Sequence, residues 1–378
     1  MEPIRVLQED VIMDMGGIEV LLMNLYRHID REALHFDFMM HRPDHAFFEE
    51  EIRSLGGRIY RTPPFNPFKL GAFKKSITDI LSSHPEYNII HCHAELNLWP
   101  LKYAHELGVP VRIAHSHNAK TTLNLKYFYF LYEKMFIKNH CTDMFMCSPL
   151  AGEWSFGKKA VAEGKVHMLK NGIVTDDFRY NEAVRREVRE ELGLTDEIAV
   201  GHVGRFMKQK NHAFLIEIFR EIHRKNPKTV LFLTGMGELE DSIRSLVSEY
   251  GLTDSVRFLG VRNDTVRLYQ AFDLFLFPSL WEGLPVTAIE AQTAGLPVLM
   301  TDVIADETVV TGNVTKFSLT RSAEEWADKA LDITGGFDRC DVSDQVKKAG
   351  FDIIDTAQRL QAFYIDRHQK AENEKKNR

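Results

Sequence analysis

The chain has 378 residues, 44% of them hydrophobic and 27% charged, with a formal net charge of −7. That length suits two hydrophobic cores, the composition is that of a globular protein, and the acidic balance argues against general affinity for nucleic acid. Four scattered cysteines, Cys92, Cys141, Cys147 and Cys340, include no Cys-x-x-Cys pair, so reduced thiols are expected rather than a disulfide framework or a zinc site.

In chain order, apolar runs predict strands over 4–7, 35–40, 58–61, 88–92, 111–115 and 144–147. Amphipathic segments separate them, such as 20–29 with Leu21, Leu22, Leu25 and Ile29 on one face. No apolar signal region precedes the first strand and no apolar run is long enough to span a bilayer. A cytoplasmic location is therefore expected, compatible with work at the inner face of the plasma membrane. The second half repeats the alternation, with strands over 199–203, 230–233, 256–258, 274–277 and 297–300 and helices such as 214–223 and 238–249. Regular β–α alternation predicts two successive doubly wound α/β units with parallel sheets. The boundary falls after Ile173, giving 1–173 and 174–351. The charged segment 181–192 reads as an exposed helix face, and 367–378 as a polar tail, frayed from 370 onward.

Several segments at strand ends could carry chemistry. Met15-Gly16-Gly17-Ile18-Glu19 lies between the first strand and the first helix, where glycines let a ligand approach backbone N–H groups or simply permit a tight turn. Arg205 and Lys210, after the first strand of the second half, could together neutralise a diphosphate, or be solvated cations. Gly235 and Gly237 form another glycine turn, without the third glycine of a dinucleotide fingerprint. The run Leu274–Phe277 delivers Glu282 onto a loop and Glu290 onto the next helix. Pro285 suits that helix's first turn, and no side chain is placed to cap it, which leaves amides for an anion. Carboxylates for hydroxyls beside an anion-binding helix start suit a nucleotide sugar.

His115 and His117 invite a metal reading, but strand alternation is expected to send them to opposite faces, and no nearby carboxylate or cysteine completes a ligand set. His117 reads better as a polar contact to substrate, and His91 and His93 as structural. The segment 120–140 mixes four lysines with aromatic residues. It reads first as a core helix with its lysines in water, and second as a surface for lipid headgroups or a lipid-linked acceptor.

Taken together, Gly16-Gly17, Asn171-Gly172-Ile173, Arg205 with Lys210, Gly235-x-Gly237 and Glu282-x7-Glu290 resemble the retaining glycosyltransferases of family 4. The wording around His115–Asn118 and Glu290–Gln292 is most similar to the bacterial exopolysaccharide and capsule branch. The resemblance implies the GT-B architecture, two Rossmann-like domains facing across a cleft, with an acceptor-side first domain and a nucleotide-sugar-binding second one. It implies a last helix, 352–366, packed back on the first domain. It also implies hexosyl transfer from a nucleotide-diphosphate sugar, UDP-linked ahead of GDP-linked, to a glycan or lipid-linked oligosaccharide, with no metal or other cofactor.

By that resemblance Arg205 and Lys210 hold the diphosphate, Glu290 holds the ribose, and Glu282 with the backbone of Gly283 and Leu284 contacts the hexose. His117 touches the hexose's outer hydroxyls, the Gly16-Gly17 loop closes over the phosphates, and Gly235 and Gly237 belong to the donor site. One departure is that Asp302–Glu307 replaces a Gly-Gly-x-x-Glu stretch, which leaves Glu307 without an expected role. A sugar-nucleotide epimerase of the same architecture, or a non-catalytic nucleotide-sugar-binding subunit, are the alternatives.

Overall fold

The computed structural model describes every residue except 1, 11, 15, 67–68, 94–97, 118–124 and 378. Met15, Asn118 and Lys120 thus lie outside the described residues, as does the Lys126 side chain. Contacts divide the chain into one unit of Met1–Gly172 with Ile353–Arg378 and another of Ile173–Asp352. Ile173 falls in the second unit because its N–H donates to Phe351 O (2.9 Å) and its backbone bridges Asp352.

In the first unit, β1 (Ile4–Asp10), β2 (Leu34–Met40), β3 (Ile59–Arg61), β4 (Ile89–Cys92), β5 (Val111–Ser116), β6 (Asp143–Met146) and β7 (Val166–Met168) form one sheet. Their order is β3-β2-β1-β4-β5-β6-β7, with every pairing parallel. The final helix, Ile353–Lys376, belongs to this unit, and its Tyr364 is fully buried against Phe36 and His91. The fraying expected from 370 onward is corrected. Glu372 accepts from Asn88 Nδ2 (3.0 Å), Lys375 Nζ donates to Asn88 Oδ1 (2.5 Å), and Arg367 pairs with Asp143. Polar composition alone does not distinguish a free tail from one tied down by its polar groups.

In the second unit, β8 (Ile198–Val203), β9 (Thr229–Thr234), β10 (Val256–Gly260), β11 (Leu274–Phe277), β12 (Val298–Thr301) and β13 (Val314–Phe317) run in the order β10-β9-β8-β11-β12-β13, again parallel. All four residues of β11 are fully buried, as expected of a strand covered on both faces. Strands β7 and β13 escape sequence reading because they are short edge strands without a continuous apolar run.

The helix Glu182–Glu191 opens with Asn181, whose side chain accepts from Ala183 N (2.9 Å) and Val184 N (3.2 Å). Its charge run is not merely a solvated face. Arg185 and Arg189 both pair with Asp273 and donate to carbonyls of residues 270–272, fastening the helix to the start of β11.

Candidate active site

Each sheet reverses its winding direction once, between β1 and β4 in the first unit and between β8 and β11 in the second. The crevice at the carboxyl ends of such strands is where doubly wound folds bind ligands. In the second unit the β8 and β11 loops are stitched together there. Leu280 N donates to Gln209 O (2.8 Å) and Asn211 Nδ2 to Pro278 O (3.1 Å). This brings Lys210 to Glu282, with Nζ donating to Oε1 at 2.7 Å, while Gln209 Nε2 donates to Oε2 at 2.9 Å. Lys210 Nζ also lies over the Phe277 ring, 4.9 Å from its centre. Both charged side chains are largely covered, which strengthens their attraction and makes loss of either partner costly. Lys210 is therefore held by the carboxylate expected to contact the sugar, a pairing that sequence does not reveal across 72 residues.

Arg205 is exposed and has no ion-pair partner among the described residues, so its guanidinium is available to an anion. Gly235 and Gly237 support this turn sterically. A Cβ on Gly235, whose φ is +139°, would lie 2.2 Å from Gly204 O, and one on Gly237 would lie 2.5 Å from Phe206 O. Gly235 N–H is itself used by Gly260 O (2.8 Å). These glycines let the β9 loop press against the Gly204–Phe206 backbone that carries Arg205.

The helix after β11, Val286–Thr293, begins one residue later than expected, with Pro285 as its cap residue. No side chain caps it, and Gly283 is exposed with open space around its Cα. Glu290 lies one turn inside. Tyr269 Oη donates to Glu290 Oε2 (2.9 Å) and to Thr287 O (3.2 Å). Burial pushes the Glu290 carboxyl up to about 7, only partly offset by that hydrogen bond, and burial beside Glu290 raises Tyr269 well above its ordinary value. Tyr269 is a partner of the candidate residue Glu290 that sequence reasoning missed; as a tyrosine in an apolar stretch it reads as core. Leu284 packs against the second unit's core, and Glu307 is exposed.

In the first unit Gly16 is the cap residue of the helix Gly17–His28. The Glu19 carboxylate folds back so closely that a Cβ on Gly16 would lie 2.2 Å from its Oε2. Glu19 is buried, and burial raises its carboxyl despite hydrogen bonds from the Ile18 and Glu19 amides. The loop is thus a helix start satisfied by its own third residue. Asn171 Nδ2 donates to Gly17 O (3.2 Å), tying the segment before the unit boundary to the same loop.

The histidines correct an expectation. Residues two apart on a strand share a face, and the rings of His115 and His117 lie 4.0 Å apart rather than on opposite faces. His93 Nδ1 is 3.1 Å from His117 Nε2, and His91 stacks on His93 at 4.1 Å. Burial holds His91, His93 and His115 well below the usual imidazole range and His117 down to about 3, so all four rings are neutral at physiological pH.

The helix Leu125–Phe136 is also not the core helix expected. Phe128, Leu131, Tyr132, Met135 and Phe136, spaced i, i+3, i+4, i+7 and i+8, are all exposed. Its other side is held by Trp154, stacked on Phe130 at 5.3 Å with Lys134 Nζ 5.2 Å from its ring centre. Among the described residues no helix is long and apolar enough to cross a membrane.

Comparison with known proteins places this geometry. Residues 15–177 match the family described as Glycosyltransferase Family 4, and residues 184–334 match Glycosyl transferases group 1. EpsF of Bacillus subtilis (strain 168) is 34% identical over 322 residues, covering 84% of each chain. The chain belongs to these glycosyltransferases. The transferase is also 28% identical over 220 residues to the Escherichia coli UDP-Gal:alpha-D-GlcNAc-diphosphoundecaprenol alpha-1,3-galactosyltransferase, covering 53% of this chain and 54% of that one. Among solved structures, HepE of Anabaena in complex with UDP superposes with a TM-score of 0.77 at 17% identity, over 96% of the transferase and 100% of HepE. That likeness shows the fold, two parallel-sheet Rossmann-like domains of GT-B type.

Proposed function

We propose that the transferase is a retaining hexosyltransferase that moves a sugar from a UDP-sugar to a lipid-linked glycan of exopolysaccharide or capsule type, without a metal. The observation that carries the reading is the β8–β11 crevice, where Lys210 and Gln209 hold Glu282 beside an uncapped helix leading to Glu290. In this reading the diphosphate is met by Arg205, by Lys210 and by the amides at the start of Val286–Thr293. Glu290 accepts from the ribose hydroxyls, and Glu282 with the Gly283 and Leu284 backbone contacts the hexose. On the first unit we keep His117 as a polar contact to substrate.

The energetic problem of the reaction is charge separation. Positive charge grows at the anomeric carbon while negative charge grows on the leaving diphosphate. Fixed donors aimed at that diphosphate stabilise the transition state more than the ground state, each contributing about 3 kcal/mol in comparable sites. Attack from the face the diphosphate leaves preserves the anomeric configuration. A donor phosphate oxygen then takes the acceptor proton, and no side chain is required as base.

The UDP bound to HepE and the UDP-Gal and diphosphoundecaprenol in the E. coli relative's name support the choice of UDP and of a lipid-linked acceptor. We assign the exposed apolar stripe of Leu125–Phe136 to contact with a lipid surface, where such an acceptor resides. The test is product analysis by mass spectrometry with a panel of UDP- and GDP-sugars and a diphospholipid-linked acceptor. Transfer from a UDP-sugar is expected. Interconversion of nucleotide sugars without acceptor, or no turnover, would overturn it.

A further inference from the structure

We propose that His91, His93 and His115 form a binding site for one late first-row divalent cation, with zinc as the type and His117 as the neighbouring fourth imidazole. The site lies wholly in the first unit, at the carboxyl ends of β4 and β5 beside the β1–β4 reversal, and does not depend on the donor reading.

Proximity is the first observation. One ring nitrogen from each of the three histidines lies within 4.8 Å of the others. Tetrahedral zinc at about 2.0 Å from each nitrogen needs nitrogens about 3.3 Å apart, which small ring rotations achieve. Burial is the second, since the three residues are 0%, 2% and 1% exposed. Unmet hydrogen-bonding capacity is the third. His91 Nε2 and both ring nitrogens of His115 are buried without a hydrogen-bond partner. A buried orphaned polar atom costs about 1–3 kcal/mol, so three at one spot need a physical reason. A cation satisfies them together.

The surroundings complete the arrangement. Metal-bound imidazoles are oriented through the nitrogen that does not face the ion. His91 Nδ1 lies 2.5 Å from Tyr364 Oη, which leaves Nε2 inward, and His93 Nε2 lies 2.9 Å from Gln8 Oε1, which leaves Nδ1 inward. His93 Nδ1 now faces His117 Nε2, so an ion would take that contact over. An all-imidazole donor set without a carboxylate selects zinc, copper or nickel over magnesium or calcium.

The competing account is a dry stack of neutral rings, and the experiment separates the two. Untagged full-length protein is stripped with EDTA, desalted and titrated with Co2+ while the visible absorption is followed; Zn2+ is then titrated against a chromophoric chelator. One equivalent per chain is expected, with a cobalt spectrum of low coordination number that zinc displaces. His115→Gln and His93→Gln should each abolish it, and Tyr364→Phe should weaken affinity about 10- to 100-fold through lost orientation of His91. Circular dichroism reports whether each variant is folded, and wild type alone decides if a variant is not. Glu282→Gln, in the other unit, should bind the ion unchanged, so loss of transfer and loss of metal are read separately. A folded wild-type chain that binds no Co2+ or Zn2+, or binding that survives both His115→Gln and His93→Gln, overturns the site.

Discussion

Glu290→Gln tests the donor site through stability rather than turnover. The wild-type carboxyl rises from 4.5 to about 7 in the folded chain, chiefly through burial. A raised folded value means the native state holds the proton more tightly than the unfolded chain. The associated stability is fully present below pH 4.5 and is lost as pH rises through about 7. At full weight the loss is about 3 kcal/mol. Water reaches part of the side chain, so about 2 kcal/mol is the working expectation. Glutamine keeps the oxygen that accepts from Tyr269 and cannot ionise. Urea unfolding at pH 5 and pH 8 should therefore give similar stabilities for wild type and variant at pH 5, and a more stable variant at pH 8. In the proposed donor site the same ionisation should make wild-type affinity for a UDP-sugar climb through pH 7, because ribose hydroxyls would donate to the charged carboxylate. A stability difference between variant and wild type that does not change with pH would refute the reasoning.

Lys210→Met should lower stability by about 3 kcal/mol, since it leaves the largely covered Glu282 carboxylate without its cation; urea unfolding of Lys210→Met/Glu282→Gln should show part of that loss restored. Gly235→Ala should cost about 2 kcal/mol or more and weaken UDP binding in calorimetry, because a methyl there meets Gly204 O and the backbone is left-handed. Phe128→Ser with Met135→Ser should reduce co-sedimentation with anionic vesicles while leaving UDP affinity unchanged. EDTA should leave the initial transfer rate unchanged, as measured by product release, because side chains rather than a metal meet the diphosphate in this reading.

Fold class was the most legible property, because buried parallel strands such as Leu274–Phe277 are continuous apolar runs and the helices between them keep their period. The candidate site was legible as segments. Arg205, Lys210, Glu282 and Glu290 stand beside glycines and strand ends; each signal is weak alone, and it is their order along the chain and the family resemblance that single them out. Their partners were not. Tyr269 and Gln209 carry no local mark, and the Lys210–Glu282 pair exists only because β8 and β11 are neighbours across the point where the winding reverses. The outward stripe of Leu125–Phe136 has the periodicity of a core helix, and periodicity does not say which way a face points. The histidine cluster was within reach, since His91 with His93 and His115 with His117 are spaced by two on what become adjacent strands. It was missed by giving alternation the wrong parity.

The most direct measurement of the donor assignment is sugar transfer by wild type and Arg205→Ala, from a UDP-sugar to a diphospholipid-linked acceptor in metal-free buffer. Wild type should form product with the donor's anomeric configuration kept, as read by NMR. Folded Arg205→Ala should be slower by about 100-fold or more, as for loss of one fixed donor to developing charge. Equal rates in the two proteins, or a product with inverted configuration, would contradict it.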